Sequence, residues 1–218
     1  MRLLFQGDSI TDAFRKPDEM NPAYQLGNGY VFIAASRLAF EMPAVKWEFV
    51  NRGFSGNTVS DLLNRWQCDV LDLMPDVLTL LVGVNDTIVS MQENSGIDDA
   101  SFAAVYRMLL EAVRKSNSRV RLIVMEPFLL ETGGVQAAWR AHLRARQEAI
   151  CKIASENGAA FVPLQSIFDD AAARSGAQYW CYDGIHPTHA GFQLVAEAWL
   201  RVFHSTVDLK TNALCPES

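Results

Sequence analysis

Between Pro75 and Gly83 the chain runs Val77-Leu-Thr-Leu-Leu-Val82, and no other segment limits the fold so strongly. The run is short for a helix and lacks the polar alternation that would leave one face wet. It reads as a strand buried on both sides, which needs a layer of helices above and below it. Other strands are predicted at Leu3 to Phe5, closing at Gly7, at Trp47 to Asn51, at Val120 to Met125 and at Ala160 to Val162. Apolar residues at helical spacing predict helices over Gly29–Phe40, Thr58–Leu73, Asp98–Lys115, Gln136–Asn157 and Thr188–His204. Gly158 is a stop for the fourth of these. Strands alternating with helices in this way indicate an α/β fold with a mainly parallel sheet covered on both faces.

No repeat, low-complexity tract or linker interrupts the pattern, so the 218 residues are expected to form one domain, with an unpatterned tail from Ser205 to Ser218. Half the residues are hydrophobic and a fifth are charged, which excludes a disordered or fibrous chain. The net charge of -6 includes no run of Lys and Arg that could track phosphates, so nucleic acid is not an expected partner. The longest apolar stretch, Val77 to Val84, falls far short of the ~18–20 residues that span a bilayer. The start, MRLLFQGDSIT, turns polar too soon for a signal peptide. A chain that begins at this Met1 is expected in the cytoplasm, away from membranes. Cys68, Cys151, Cys181 and Cys215 have no metal-ligand spacing and read as scattered thiols.

In a parallel sheet, chemistry gathers in the loops at the carboxyl ends of the strands. Small and polar residues concentrate in four loops: Gly7–Asp12, Arg52–Thr58, Gly83–Asp86 and Asp183–Pro187. The first three each follow a predicted strand. Ser9 is placed to be presented at the head of the sheet, although Asp8, Ser9 and Thr11 would also serve as helix caps. A serine nucleophile needs a base, a group to orient the base, and donors for the oxyanion.

Of the four histidines, His142 and His204 sit in helical patterns with no acid beside them in sequence, and His189 is expected to begin the last helix. His186 lies three positions after Asp183, close enough for the carboxylate to hold one ring nitrogen and fix the tautomer. Gly53 and Asn85 can offer a backbone N–H and a side-chain amide, or can be turn formers only.

Together these loops resemble the block pattern of the SGNH (GDSL-type) hydrolase family. GDSIT at 7–11 resembles the nucleophile block, NRGFSGNT at 51–58 the second, GVND at 83–86 the third and DGIHP at 183–187 the last. They occur in family order across roughly residues 2 to 204. The resemblance implies a flavodoxin-like three-layer α/β/α sandwich and hydrolysis of carboxylic esters without metal or cofactor. It implies a catalytic triad of Ser9, Asp183 and His186, with Ser9 N–H, Gly53 N–H and Asn85 as the oxyanion hole. No GxGxxG or GxxxxGK[ST] motif is present to hold a nucleotide.

The segments GDSITDAFR, LGNGYV, SGNTVSDLLNRW and MEPF look most like an intracellular bacterial branch that includes acetylxylan esterases. The implied substrate is a small ester, an acetylated sugar such as a xylo-oligosaccharide. Asp8, Phe54, Trp180 and Tyr182 are candidate substrate contacts, and the aromatics among them either stack on sugar or simply wall the site. Asp12 and Arg15 either meet a polar substrate or pair with each other. A lysophospholipase or acyl-thioesterase is the alternative on the same scaffold, and a non-catalytic carbohydrate-binding relative the alternative of another class. Such enzymes are compatible with a homo-oligomer, and no sequence feature decides it.

Overall fold

In β1 (Arg2–Gly7) consecutive side chains point to opposite faces of the sheet, Leu3 and Phe5 into one core and Leu4 into the other. The same division holds in β3 (Val77–Leu81), with Val77 and Leu81 on one side and Leu78 and Leu80 on the other. It holds again in β4 (Arg121–Met125), where Ile123 and Met125 oppose Leu122 and Val124. With β2 (Glu48–Asn51) and β5 (Ala160–Val162) these strands make one sheet of order β2-β1-β3-β4-β5, parallel throughout. The computed structural model describes residues 1–93 and 95–207.

The helices are α1 (Ser9–Asp12), α2 (Pro22–Gln25), α3 (Tyr30–Glu41), α4 (Val59–Trp66), α5 (Val84–Glu93), α6 (Asp99–Ser116), α7 (Ala137–Glu156), α8 (Leu164–Ser175), α9 (Ala177–Trp180) and α10 (His189–Thr206). One core packs α3, α8 and α10 against the sheet, and the other packs α4, α6 and the C-terminal half of α7. The first core centres on a ring stack, Phe5 to Trp199 at 5.1 Å and Trp199 to Phe203 at 4.9 Å between centroids. Each such side chain taken fully out of water contributes about 1.5–3 kcal/mol. The result is the flavodoxin-like three-layer α/β/α sandwich, with strand order 2-1-3-4-5.

The predicted strands and long helices recur with ends shifted by a residue or two, and several details differ. The segment expected as one helix over Thr58–Leu73 is α4 followed by a π-helical turn, Gln67–Leu71. The expected loop Gly83–Asp86 is already helical from Val84, so Asn85 projects from the first turn of α5. Helices α2, α8 and α9 occupy segments for which no element was expected. His204 does have an acidic neighbour, Glu41 of α3 at 3.5 Å, because α10 packs against α3. Ser205 and Thr206 complete α10, Val207 caps it, and residues 208–218 of the expected tail lie outside the described residues.

Candidate active site

Gly7 ends β1, and Asp8 turns the chain into α1 by accepting the Ile10 N–H on its carboxylate at 3.0 Å. That tight strand-to-helix turn sets Ser9 at the carboxyl end of the sheet. From the far end of the chain comes a second loop, closed by a bridge between Cys181 and Pro187. Thr188 closes it further, with its N–H on Trp180 O and its hydroxyl capping Gly191 N–H at the start of α10. Inside this loop one oxygen of Asp183 accepts the N–H groups of Ile185 and His186, at 2.9 and 2.7 Å. Its other oxygen lies 2.7 Å from His186 Nδ1. His186 Nε2 in turn lies 2.9 Å from Ser9 Oγ. Burial alone would raise the Asp183 pKa, but the three hydrogen bonds outweigh it and hold the group below the usual carboxylate range. The sequence places Ser9 and His186 177 residues apart, and the fold brings them to hydrogen-bond distance.

A cavity of about 450 Å³ opens over this serine and histidine, and Asn85 and Gly56 form part of its lining. Asn85 is held by donating from Nδ2 to Asn57 O at 3.0 Å, which uses one of its two amide hydrogens. Gly53, expected as an oxyanion donor, is not in the lining. Its N–H donates to Asn51 Oδ1 at 2.8 Å, and a Cβ there would sit 2.3 Å from the Asp12 backbone nitrogen. Gly53 is therefore small so that the Arg52–Thr58 loop can lie against α1. Gly56, three residues on, faces the cavity instead: it has φ +83, and a Cβ on it would meet nothing within 4 Å. The block NRGFSGNT holds both glycines, and spacing in sequence does not separate them.

The Arg52–Thr58 loop is fixed from below by Arg65, whose guanidinium donates to Asn57 Oδ1, Arg52 O and Gln6 Oε1 and pairs with Asp69. Trp66 beside it is buried and donates to Leu109 O, while Thr58 caps α4 in a reciprocal arrangement with Asp61. This is what the Thr and the Arg-Trp of SGNTVSDLLNRW do. Asp12 and Arg15 pair at 3.3 Å, Arg15 also donates to Gly53 O, and Ser55 donates to Asp12.

Of the expected substrate contacts, Tyr182 lines the cavity, with its ring 5.9 Å from that of His186 and nearly parallel to it. Phe54 stands outside the lining, exposed beneath the Arg65 guanidinium. Trp180 is also outside it and packs edge-on against Tyr179. Asp8 is 1% exposed and turned inward, so it has no face toward a substrate. Burial, reinforced by nearby Asp86, pushes its pKa up to about 7. A larger hollow of about 560 Å³ runs along the outer edge of β2 beside Trp47 and Phe49 and contains none of Ser9, Asp183 and His186. Among the described residues no three His, Cys, Asp or Glu side chains converge as metal ligands.

The profile of the GDSL-like lipase/acylhydrolase family matches residues 5–194. The chain belongs to this family. An acetylxylan esterase of Geobacillus stearothermophilus is 32% identical over 206 residues, covering 92% of each chain. A GDSL-like lipase of Parabacteroides merdae superposes with a TM-score of 0.89 at 34% identity, over 93% of this chain and 95% of that one. The crystal structure of the Geobacillus acetylxylan esterase gives 0.83 at 31% identity, over 92% and 93%. Like its GDSL relatives, the protein is a serine ester hydrolase. No described helix is long and apolar enough to cross a membrane.

Proposed function

We propose that this GDSL hydrolase removes acetyl groups from acetylated oligosaccharides, such as xylo-oligosaccharides, through an acyl-enzyme on Ser9. The observation that carries the reading is the unbroken chain from Ser9 Oγ through His186 to Asp183, of which Ser9 and His186 line the cavity. His186 takes the Ser9 proton as the oxygen attacks the ester carbonyl, and Asp183 stabilises the imidazolium that forms. The N–H groups of Ser9 and Gly56 and the amide of Asn85 receive the oxyanion. His186 then protonates the departing alcohol, and water releases the acyl group by the same route.

The acetyl-sugar assignment is supported by the acetylxylan esterase that this chain resembles over most of its length. It is supported also by the 57% exposed Tyr182 ring at the mouth of the cavity, a surface on which a sugar can stack. A lysophospholipase or thioesterase is the alternative on this scaffold; the lining mixes Ala13, Phe14, Pro187 and Phe192 with Ser55 and Asn85, and acyl-chain preference distinguishes the two readings. The free Cys68, Cys151 and Cys181 fit a reducing, cytoplasmic compartment.

The test is hydrolysis of nitrophenyl esters from acetyl to dodecanoyl, with acetylated xylo-oligosaccharides alongside and Ser9→Ala as control. Activity is expected to peak at acetyl, to extend to the sugar and to vanish in the variant. A peak at long chains would move the substrate to a lipid or thioester, and activity surviving in Ser9→Ala would remove Ser9 as nucleophile.

A further inference from the structure

Directly after α1 the backbone takes the left-handed conformation at two residues in succession, Ala13 at φ 43 and Phe14 at φ 59. Neither is a glycine, and a bulky residue is held there only against backbone strain. Core packing does not offset that strain at Phe14, because its side chain is 86% exposed. Both neighbours are anchored. Ala13 is 4% exposed, donates from its N–H to Ser9 O and accepts Asn28 N–H on its carbonyl. Arg15 is tied to Gly53 O and Asp12. The chain is thus pinned on either side of Phe14, and the ring it projects forms part of the cavity that holds Ser9 and His186, together with Tyr182 and Phe192. A strained, exposed phenylalanine at the mouth of the site is placed for contact with a ligand.

We propose that Phe14 is a specificity-determining residue, whose ring packs on the cyclic alcohol moiety of the ester and favours acetates of ring alcohols over those of small acyclic ones. The assignment to the alcohol side rests on the acetyl-ester reading above. An acetyl group is small enough to sit at Ser9 alone, while an oligosaccharide must continue past the mouth into solvent, where Phe14 and Tyr182 stand. Stacking of this kind contributes about 0.5–1.5 kcal/mol, which is about a two- to tenfold preference.

Phe14→Gly tests this without threatening the fold, because glycine adopts φ near +60 freely. Its thermal midpoint is expected to equal or exceed that of the wild type. With 4-nitrophenyl acetate and an acetylated methyl xyloside, kcat/KM is expected to fall about two- to tenfold, mainly through KM. With ethyl acetate it is expected to change less than about twofold, and Phe14→Tyr should restore the ring-over-ethyl ratio. An equal loss on ethyl acetate, no loss on any substrate, or a changed preference between nitrophenyl acetate and octanoate would overturn the proposal. If the wild type ignores the xyloside yet hydrolyses nitrophenyl acetate, the sugar reading fails by itself. The nitrophenyl-to-ethyl ratio then still decides the role of Phe14.

Discussion

Asn85, in the first turn of α5, has one amide hydrogen committed to Asn57 O and forms part of the cavity lining, which leaves its other amide hydrogen as the candidate oxyanion donor. A donor set in advance costs nothing to reorient as the carbonyl oxygen gains charge, so its value appears in the transition state rather than in ground-state binding. Asn85→Ala is accordingly expected to lower kcat by about 10²–10³ with little change in KM. Steady-state kinetics on nitrophenyl acetate measure this, and an unchanged kcat would take Asn85 out of the oxyanion hole. The same residue marks where sequence reading stops. Its type and its place after a strand are legible, but its helix is not, because α5 begins inside the motif with no separate start signal. Gly53 and Gly56 stand in one short block, and it takes the capture of the Gly53 N–H by Asn51 and the place of Gly56 in the cavity lining to tell them apart. For Phe14 there was no signal at all, since its left-handed backbone is imposed by the anchored residues on either side.

Among the elements, β3 is the one the sequence announces most clearly, yet it contains a threonine in an otherwise apolar, fully buried run. The hydroxyl of Thr79 accepts the indole N–H of Trp199 at 2.9 Å, which ties the middle of the sheet to α10 across 120 residues. Thr79→Val keeps the volume and leaves that N–H buried without an acceptor, at a cost of about 1–3 kcal/mol. The thermal midpoint is expected to fall, by roughly 2–4 °C for each kcal/mol in a chain of this size, with kcat unchanged. Thr79→Ser, which retains the acceptor, should lose less, and equal losses in the two variants would argue against the hydrogen bond. The strands and long helices could be read because their apolar periodicity is imposed by two cores. Helices α2 and α9 have only four residues each, too few to show a period. Helix α8 starts directly after Pro163 with no side chain capping it, so the usual start signal is missing.

Across the whole molecule, two buried acids behind the site make the stability of the fold depend on pH. Burial raises the Asp8 pKa to about 7 and that of Asp86 to about 6, against an ordinary value of 3.8. Between about pH 4 and pH 7 the folded chain therefore keeps protons that the unfolded chain has released. Stability must fall as pH rises through that window, by up to about 1.4 kcal/mol per pH unit for each group. Asp183, held below its ordinary value, acts the other way, but its contribution is lost only in acid, as pH drops below about 4. The effect can be tested at Asp8. Wild-type protein is expected to melt at a higher temperature near about pH 5 than near about pH 8. Asp8→Asn, which keeps an oxygen to cap Ile10 and has no proton to lose, should narrow that gap. A wild-type midpoint that is level or climbs over the same interval would show that Asp8 and Asp86 are not protonated in the fold.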